Sequence, residues 1–194
     1  MVFCYGLALG QNTITISFDG PPVLAPNTAV NVTSYLESGM SFASVPENAG
    51  FTRNANAGGL SLYPDDGSDY IQASGKPVVF SFTDDSLFGL DSVDLAGYST
   101  VLPNFDVQFV GYHPDGSTVT AEFSGSGINF QTFHFTGFAD LSSVDVEVAA
   151  SPWSLDNLVV SIPEPSVGEF LLVGGLLVRA LQLRRSGQDR KCDA

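Results

Sequence analysis

Positive charge is scarce in most of this chain. Its 194 residues carry 7 Lys and Arg side chains against 21 Asp and Glu, for a formal net charge of −14. Residues 1–162 contain only Arg53 and Lys76 as cations against 17 carboxylates, whereas the remainder is slightly basic. A surface this acidic repels the phosphates of nucleic acid and of anionic lipid, so no nucleic-acid partner is expected.

Cysteine is also rare. Cys4 and Cys192 lie near the two ends of the chain, which excludes a disulfide framework within the body. Burial, hydrogen bonds or a metal ion must therefore hold the body together. Aromatic and β-branched residues are plentiful, with Phe alone at 15 positions, and this is the composition of a folded domain.

Sustained helical periodicity is absent before Ser166. Instead, short segments alternate apolar and polar residues with a period of two, and turn-forming residues separate them. Such segments occupy residues 13–18, 77–82, 92–96, 105–110, 118–123, 130–135, 144–148 and 155–160. Regularly spaced short strands predict an all-β fold, either a sandwich or a barrel.

Two stretches between these segments carry more specific expectations. Residues 113–117 predict a hairpin turn between antiparallel strands. Residues 27–70 have a weaker pattern, which predicts long loops with one or two short strands. Within them, the acidic run 65–69 lacks the spacing of an EF-hand loop and is interpreted as a solvated loop.

The C-terminal part has a different character. Residues 161–166 read Ser-Ile-Pro-Glu-Pro-Ser, an apolar run follows at 170–178, and Arg179, Arg184 and Arg185 come after it. Proline stiffens the first part, the apolar run can enter lipid, and the arginines resist crossing. This order resembles the PEP-CTERM sorting signal of Gram-negative bacteria.

The resemblance implies an exported protein that an exosortase handles at the inner membrane and that is destined for the cell surface or the extracellular matrix. Pro163, Glu164 and Pro165 would be the sorting signal, and the three arginines would stop transfer. Because Glu169 and Arg179 interrupt the apolar segment, a C-terminal helix that docks on a soluble sandwich is the alternative. The predicted organisation is a signal-peptide remnant (1–12), a β-sandwich (13–161), a Pro-rich linker (162–166), a single transmembrane helix (167–185) and a cytoplasmic tail (186–194).

The body carries a second resemblance. Residues 90–96, 107–112, 115–117, 130–133 and 155–160 occur in a characteristic order. This order resembles the jelly-roll, galactose-binding-like domains that often precede PEP-CTERM signals and are related to carbohydrate-binding modules. It implies an antiparallel jelly roll with a non-enzymatic structural or adhesion role linked to exopolysaccharide or biofilm. A lectin-like carbohydrate-binding module and a glycan-acting enzyme are the alternatives.

The same resemblance implies a structural calcium ion. In such jelly rolls the first and last strands are neighbours and each contributes an acidic residue, and here the matching residues are Asp19 and Asp156. Calcium takes six to eight oxygens, so carbonyls from nearby loops must contribute. The alternative is that Asp19 forms a turn with Gly20 while Asp156 accepts hydrogen bonds from backbone.

Catalytic residues do not stand out in the sequence. No pair of carboxylates is singled out as the acid and base of a glycosidase, and His134, between two phenylalanines, is expected to face outward from a strand. Aromatic side chains that could stack on sugar rings are Tyr63, Tyr70, Tyr98, Tyr112 and Trp153. For Trp153 the preferred interpretation is a structural place at the edge of the core. Because no catalytic residues stand out, the protein is not expected to be an enzyme.

Overall fold

A computed structural model describes residues 12–46, 49–55 and 61–163. These residues form thirteen β-strands and no helix, and therefore include no helix long and apolar enough to span a membrane. The strands are β1 (Asn12–Ile16), β2 (Thr28–Val32), β3 (Ser34–Glu37), β4 (Met40–Ser44), β5 (Phe51–Ala55), β6 (Tyr70–Ala73), β7 (Val78–Phe82), β8 (Gly89–Gly97), β9 (Asn104–Tyr112), β10 (Thr118–Ser126), β11 (Gln131–His134), β12 (Ser143–Ser151) and β13 (Trp153–Ile162). The predicted all-β class is confirmed.

Two antiparallel sheets form a β-sandwich. Sheet A contains seven strands in the order β11-β8-β13-β6-β5-β2, with β1 also paired to β13, and sheet B contains six in the order β10-β9-β12-β7-β4-β3. Asn12 lies opposite Ile162, and Ile16 lies opposite Leu158. The expectation that the first and last strands are neighbours is confirmed.

The core between the sheets is rich in aromatic side chains. Phe42 and Phe80 of sheet B pack with ring centroids 5.2 Å apart, and Phe109 packs on Phe135 at 5.0 Å. Trp153 is fully buried in the same core, whereas the sequence-based interpretation placed it at the edge of the core. Burying one large apolar side chain contributes about 1.5–3 kcal/mol, so this cluster supplies most of the driving force for folding.

All eight alternating segments form strands. β9 and β10 pair without interruption from Asn104 opposite Ser126 to Tyr112 opposite Thr118. The backbone N–H of Gly116, at a φ of 85°, donates to the carbonyl of His113 at 3.0 Å in the turn that joins them. The predicted hairpin is confirmed.

The sequence predicted too few strands for residues 27–70. That region holds four strands, β2 to β5, and β6 begins at Tyr70. The alternation is hidden because β5 buries Arg53 and Asn54, and because every residue of the short β6 is buried.

Most of the predicted sorting segment lies outside the described residues. Pro163 is the last residue that the structure describes. The other predicted positions, Glu164, Pro165, Arg179, Arg184 and Arg185, and the anchor at 167–185 lie beyond it, so these predictions stay predictions.

Candidate functional site

The outer face of sheet A carries a polar strip. Thr52 of β5 lies opposite Gln72 of β6, which lies opposite Ser154 of β13. Their sequence neighbours Phe51 and Ile71 belong to the core. Because side chains alternate between the two faces of a strand, the three polar side chains point away from the core.

Hydrogen bonds join this strip into a network. Gln72 donates from Nε2 to the carbonyl oxygen of Tyr98 at 2.9 Å and to Oγ of Ser154 at 2.9 Å. Asn54 donates from Nδ2 to Oε1 of Gln72 at 3.3 Å. Both amide hydrogens of Gln72 are therefore used in hydrogen bonds, which fixes its side chain. The Asn54 side chain uses one amide hydrogen in its bond to Gln72, so its carbonyl oxygen and its second amide hydrogen are available to a ligand.

A cleft of about 130 Å³ opens beside the network. Thr52, Asn54 and Gln72 line it from the sheet, and Tyr63 and Tyr98 line it from two loops. The two tyrosine rings pack edge to face, with centroids 6.2 Å apart and an interplanar angle of 78°. The cleft thus combines aromatic surface with uncharged hydrogen-bonding groups.

An apolar rim adjoins the two tyrosines. The backbone N–H of Thr100 donates to the carbonyl of Leu62 at 2.8 Å, which holds the two loops together. Leu62 and Leu102 are each 47% exposed, and Val101 is 76% exposed. Apolar surface therefore continues beyond the cleft along these loops.

The acidic run 65–69, here called the acidic loop, contacts both residues predicted to bind calcium. The backbone N–H of Asp69 donates to Oδ1 of Asp19 at 2.8 Å. The hydroxyl of Ser68 lies 2.7 Å from Oδ2 of Asp156. Asp19 is exposed and Asp156 is fully buried. The interpretation of this run as a purely solvated loop is therefore incomplete, because its last two residues are attached to the sandwich.

The Ser68 hydroxyl contacts two carboxyl groups. It lies 2.7 Å from Oδ1 of Asp66 as well as 2.7 Å from Oδ2 of Asp156. A hydroxyl has one hydrogen and can donate to only one of them, so the other contact needs a proton on a carboxyl group. Burial, followed by the nearby Asp66 carboxyl, raises the pKa of Asp156 to about 9. Asp156 therefore holds that proton at neutral pH.

An ion pair fixes the last residue of the acidic loop, Asp69. Nη2 of Arg53 in β5 lies 3.1 Å from Oδ2 of Asp69. Burial raises the pKa of Asp69, although the guanidinium of Arg53 opposes the shift. No group of three or more His, Cys, Asp or Glu side chains within the described ranges is arranged to hold a metal ion. The calcium expectation for Asp19 and Asp156 stays a prediction.

The facing pair Asp94 and Asp156 is not placed to act as the acid and base of a glycosidase. Asp94 lies opposite Asp156 between β8 and β13, but Asp156 exposes no surface and could not reach a glycosidic oxygen. Asp94 accepts hydrogen bonds from Thr132 at 2.6 Å and from Nδ2 of Asn157 at 3.1 Å. Both side chains are thus committed to structural contacts.

The remaining aromatic and histidine candidates do not line the cleft, although Tyr70 lies opposite Asn54, which does. Tyr70 is fully buried and packs edge to face on Phe130 at 5.4 Å. Tyr112 belongs to sheet B, and His134 is exposed on β11, as predicted. His113 contacts the carbonyl of Asp140 at 3.3 Å in its turn.

Comparisons with known proteins identify no family for this chain, and they find a distant structural neighbour. No family model and no curated protein matches the chain. Among solved structures, it is similar to the N-terminal endo-1,4-beta-D-xylanase 10B of Clostridium thermocellum, whose CBM22-1-GH10 modules were determined in complex with xylohexaose. The TM-score is 0.34 at 8% identity, and the match covers 78% of this chain but only 28% of that one. A likeness this distant says nothing about the ligand of the present chain.

Sequence reasoning found the tyrosines of the cleft and missed its amides. Tyr63 and Tyr98 were candidates because of their residue type alone. Asn54 lies in a region expected to be mainly loops, and Gln72 lies in a short strand that the alternation did not reveal, so no sequence signal placed them together. The register of β5 and β6 was the information that was lacking.

Proposed function

We propose that this protein is an exported surface or matrix component whose sandwich binds a neutral saccharide in the cleft beside Tyr63 and Tyr98. The observation that carries the proposal is the pairing of two tyrosine rings with uncharged amide and hydroxyl groups in one cleft. A sugar ring has a C–H face that packs on an aromatic plane and hydroxyls that pair with amides.

Asn54 is the residue most suited to hold a sugar hydroxyl pair. Its side chain is 8% exposed and lines the cleft, and the bond to Gln72 fixes its orientation. The amide can accept from one hydroxyl through its oxygen and donate to the next through its remaining hydrogen. Preorganised polar groups of this kind determine the orientation of a ligand in a mainly apolar site.

Charge favours a neutral sugar over a uronate. Among the residues that the structure describes, those that line the cleft carry no carboxylate and no cation. Arg53 is buried and paired with Asp69, and the body as a whole is strongly acidic. An anionic sugar would meet repulsion with no cation to offset it. The cleft volume, below the roughly 300 Å³ at which drug-sized sites begin, suits a single ring or a chain end.

The sorting part of the proposal rests on residues 161–185. A Pro-Glu-Pro site would present an extended segment to an exosortase at the inner membrane, the apolar segment would hold the precursor in the membrane, and the arginines would set its cytoplasmic side. Release would then deliver the sandwich to the surface or matrix of a Gram-negative cell. There a saccharide-binding cleft would give adhesion to exopolysaccharide without catalysis.

A glycan array of neutral and acidic saccharides, followed by calorimetry on the strongest neutral ligand, tests the binding function. We expect Tyr98→Ala and Asn54→Ala each to weaken binding about tenfold, which corresponds to about 1.4 kcal/mol. Tyr112→Ala is the matched control, since Tyr112 is also a half-buried tyrosine but lies on sheet B. Calorimetry is preferred to fluorescence because the single tryptophan, Trp153, is buried away from the cleft.

Three outcomes count against this function. The array could show no neutral saccharide bound, Tyr98→Ala could bind as tightly as the wild type, or Tyr112→Ala could weaken binding to the same extent. Release of reducing sugar from a bound glycan would instead favour an enzyme.

A further inference from the structure

The guanidinium of Arg53 lies inside the sandwich within a shell of main-chain oxygens. Its Nη1 donates to the carbonyl of Pro22 at 2.9 Å, and its Nη2 donates to the carbonyl of Gly20 at 3.0 Å and to that of Phe18. Arg53 is only 1% exposed. Three carbonyls of the loop that follows β1 therefore converge on one buried cation.

Two side chains add to the shell, those of Asp69 and Tyr35. Besides the Asp69 carboxylate, the ring of Tyr35 in β3 packs on the guanidinium, with Cζ 4.2 Å from the ring centroid. The Tyr35 hydroxyl donates to Oε2 of Glu37 at 2.7 Å, and Oε1 of Glu37 accepts from the backbone N–H of Ser17 at 3.3 Å. A buried charge is tolerated when it is paired and hydrogen-bonded. Here carbonyls and a carboxylate pair with the two Nη atoms, and an aromatic face covers the guanidinium. Nε of Arg53 has no hydrogen-bond partner among the described residues.

This shell has the composition of a calcium site. Calcium takes main-chain carbonyls and carboxylates as ligands, and the carbonyls on either side of Asp19, those of Phe18 and Gly20, are directed at Arg53 instead. Oδ1 of Asp19 is itself engaged by Asp69. The oxygens that would complete a calcium shell at Asp19 already have a positively charged partner.

We propose that Arg53 is the resident cation of this end of the sandwich, and that its guanidinium takes the place of a metal ion in joining the β1–β2 loop, the acidic loop and β3. The side chain reaches all three from β5, the strand whose outer face supplies Thr52 and Asn54 to the cleft. The fold at this end is then independent of the calcium concentration around the protein.

Thermal unfolding of the full-length chain, with calcium or a chelator present, tests the proposal. We expect the Tm of the wild type to be the same in both. Arg53→Ala should lower the Tm by roughly 6–20 °C in chelator, as expected when one partner of a buried ion pair is removed. Millimolar guanidinium or calcium should then recover part of the loss, because the vacated oxygens attract a cation.

Two further variants separate charge from space filling. Arg53→Met places an uncharged chain of similar reach in the shell, and it should lose stability without recovery by either cation. Lys76→Ala removes the exposed cation of the body and should change nothing. If Arg53→Ala does not fold, calorimetric titration of the wild type with calcium is the test of the proposal. Absence of calcium binding in that titration supports the proposal.

The competing outcome is calcium between Asp19 and Asp156. In that case the chelator lowers the Tm of the wild type, calcium restores it, and Asp156→Ala abolishes the gain by removing a ligand. Stoichiometric calcium binding by the wild type, or an Arg53→Ala variant as stable as the wild type, would overturn the assignment of Arg53.

Discussion

Ser68 and Asp156 are 88 residues apart in the chain, and the Ser68 hydroxyl lies 2.7 Å from Oδ2 of the buried Asp156. This contact attaches the acidic loop to β13, the strand at the centre of sheet A. The same hydroxyl contacts Asp66, so the attachment depends on a proton that the folded protein holds and the unfolded chain releases at neutral pH.

The stability of the protein should therefore fall as the pH rises. Asp156 has a pKa near 3.9 in an unfolded chain, and burial raises it to about 9 in the folded protein. Because the folded state binds the proton more tightly, this stabilisation is complete below about pH 4 and is lost as the pH rises through 9. The slope is at most about 1.4 kcal/mol per pH unit, and urea unfolding at several pH values measures it.

Asp156→Asn is the direct check, because an amide mimics the protonated carboxyl and does not titrate. It should flatten the slope between about pH 5 and pH 8. Asp115→Asn should leave the slope unchanged, since the hydrogen bonds from Ser117 lower the pKa of Asp115 and move its titration below that window. A wild type whose stability is constant or rises over this window contradicts the interpretation.

Gly97, at the end of β8, should not tolerate a side chain. A Cβ atom there would lie 2.1 Å from the carbonyl oxygen of Pro103, a backbone atom that cannot move alone. Gly97→Ala should displace the loop that carries Tyr98, destabilise the fold by about 1–3 kcal/mol and abolish saccharide binding. Unfolding curves and calorimetry on the same sample measure both effects.

Gly67→Ala is the control for that variant. A Cβ atom at Gly67 would meet no other atom within 4 Å, but the φ of this residue is 92°, so only backbone strain of about 1–2 kcal/mol is expected. Saccharide binding should survive. Equal binding by the Gly97 and Gly67 variants would show that the loop position does not matter.

The sorting signal should control release from the membrane. Changing Pro163, Glu164 and Pro165 together to alanine removes the rigid extended segment that an exosortase would recognise. We expect the uncleaved chain to accumulate in the inner membrane, as followed by mass and by cell fractionation. Normal release of the triple variant would refute this expectation, and a strain without exosortase provides the matching control.

The sandwich should fold without the C-terminal segment. All thirteen strands end by Ile162, and residues 11–163 form one compact unit. Residues 13–161 alone should be soluble, monomeric and cooperative in unfolding, with the buried Trp153 as a fluorescence probe. If this fragment only aggregates while the full chain is soluble without detergent, the C-terminal segment belongs to the core.

Strands in which apolar and polar residues alternate regularly could be predicted from the sequence. Strands that bury polar side chains could not. β9 and β10 follow a period of two along their whole length, and the turn-forming residues 113–117 between them made the hairpin predictable. β5 places Arg53 in the interior, and its pattern cannot be recognised without the oxygens that compensate the charge. Three of those oxygens are carbonyls of a loop more than thirty residues away, and a fourth belongs to the Asp69 carboxylate.

The candidate site was predictable only as a set of residue types. Aromatic residues suggested sugar stacking, but their number gave no way to choose between Tyr98, which lines the cleft, and Tyr70, which is buried. Asp156 was identified through the resemblance of β13 to a last strand. Its raised pKa depends first on burial and then on Asp66, and both arise only from tertiary contacts.

The position of β13 between β6 and β8 has a mechanical consequence. A module tethered through Pro163 and holding a polysaccharide in its cleft would transmit a pulling force from β5 and β6 to β13. The register of β6 and β13 spans only Trp153 to Leu155, so this short ladder would bear the load that enters through Asn54 and Gln72. Load on Tyr98, which follows β8, would instead reach β13 through the longer ladder between those two strands. Lifetime under load is governed by the rate of unfolding, and this three-pair ladder is where rupture of the tethered module would begin.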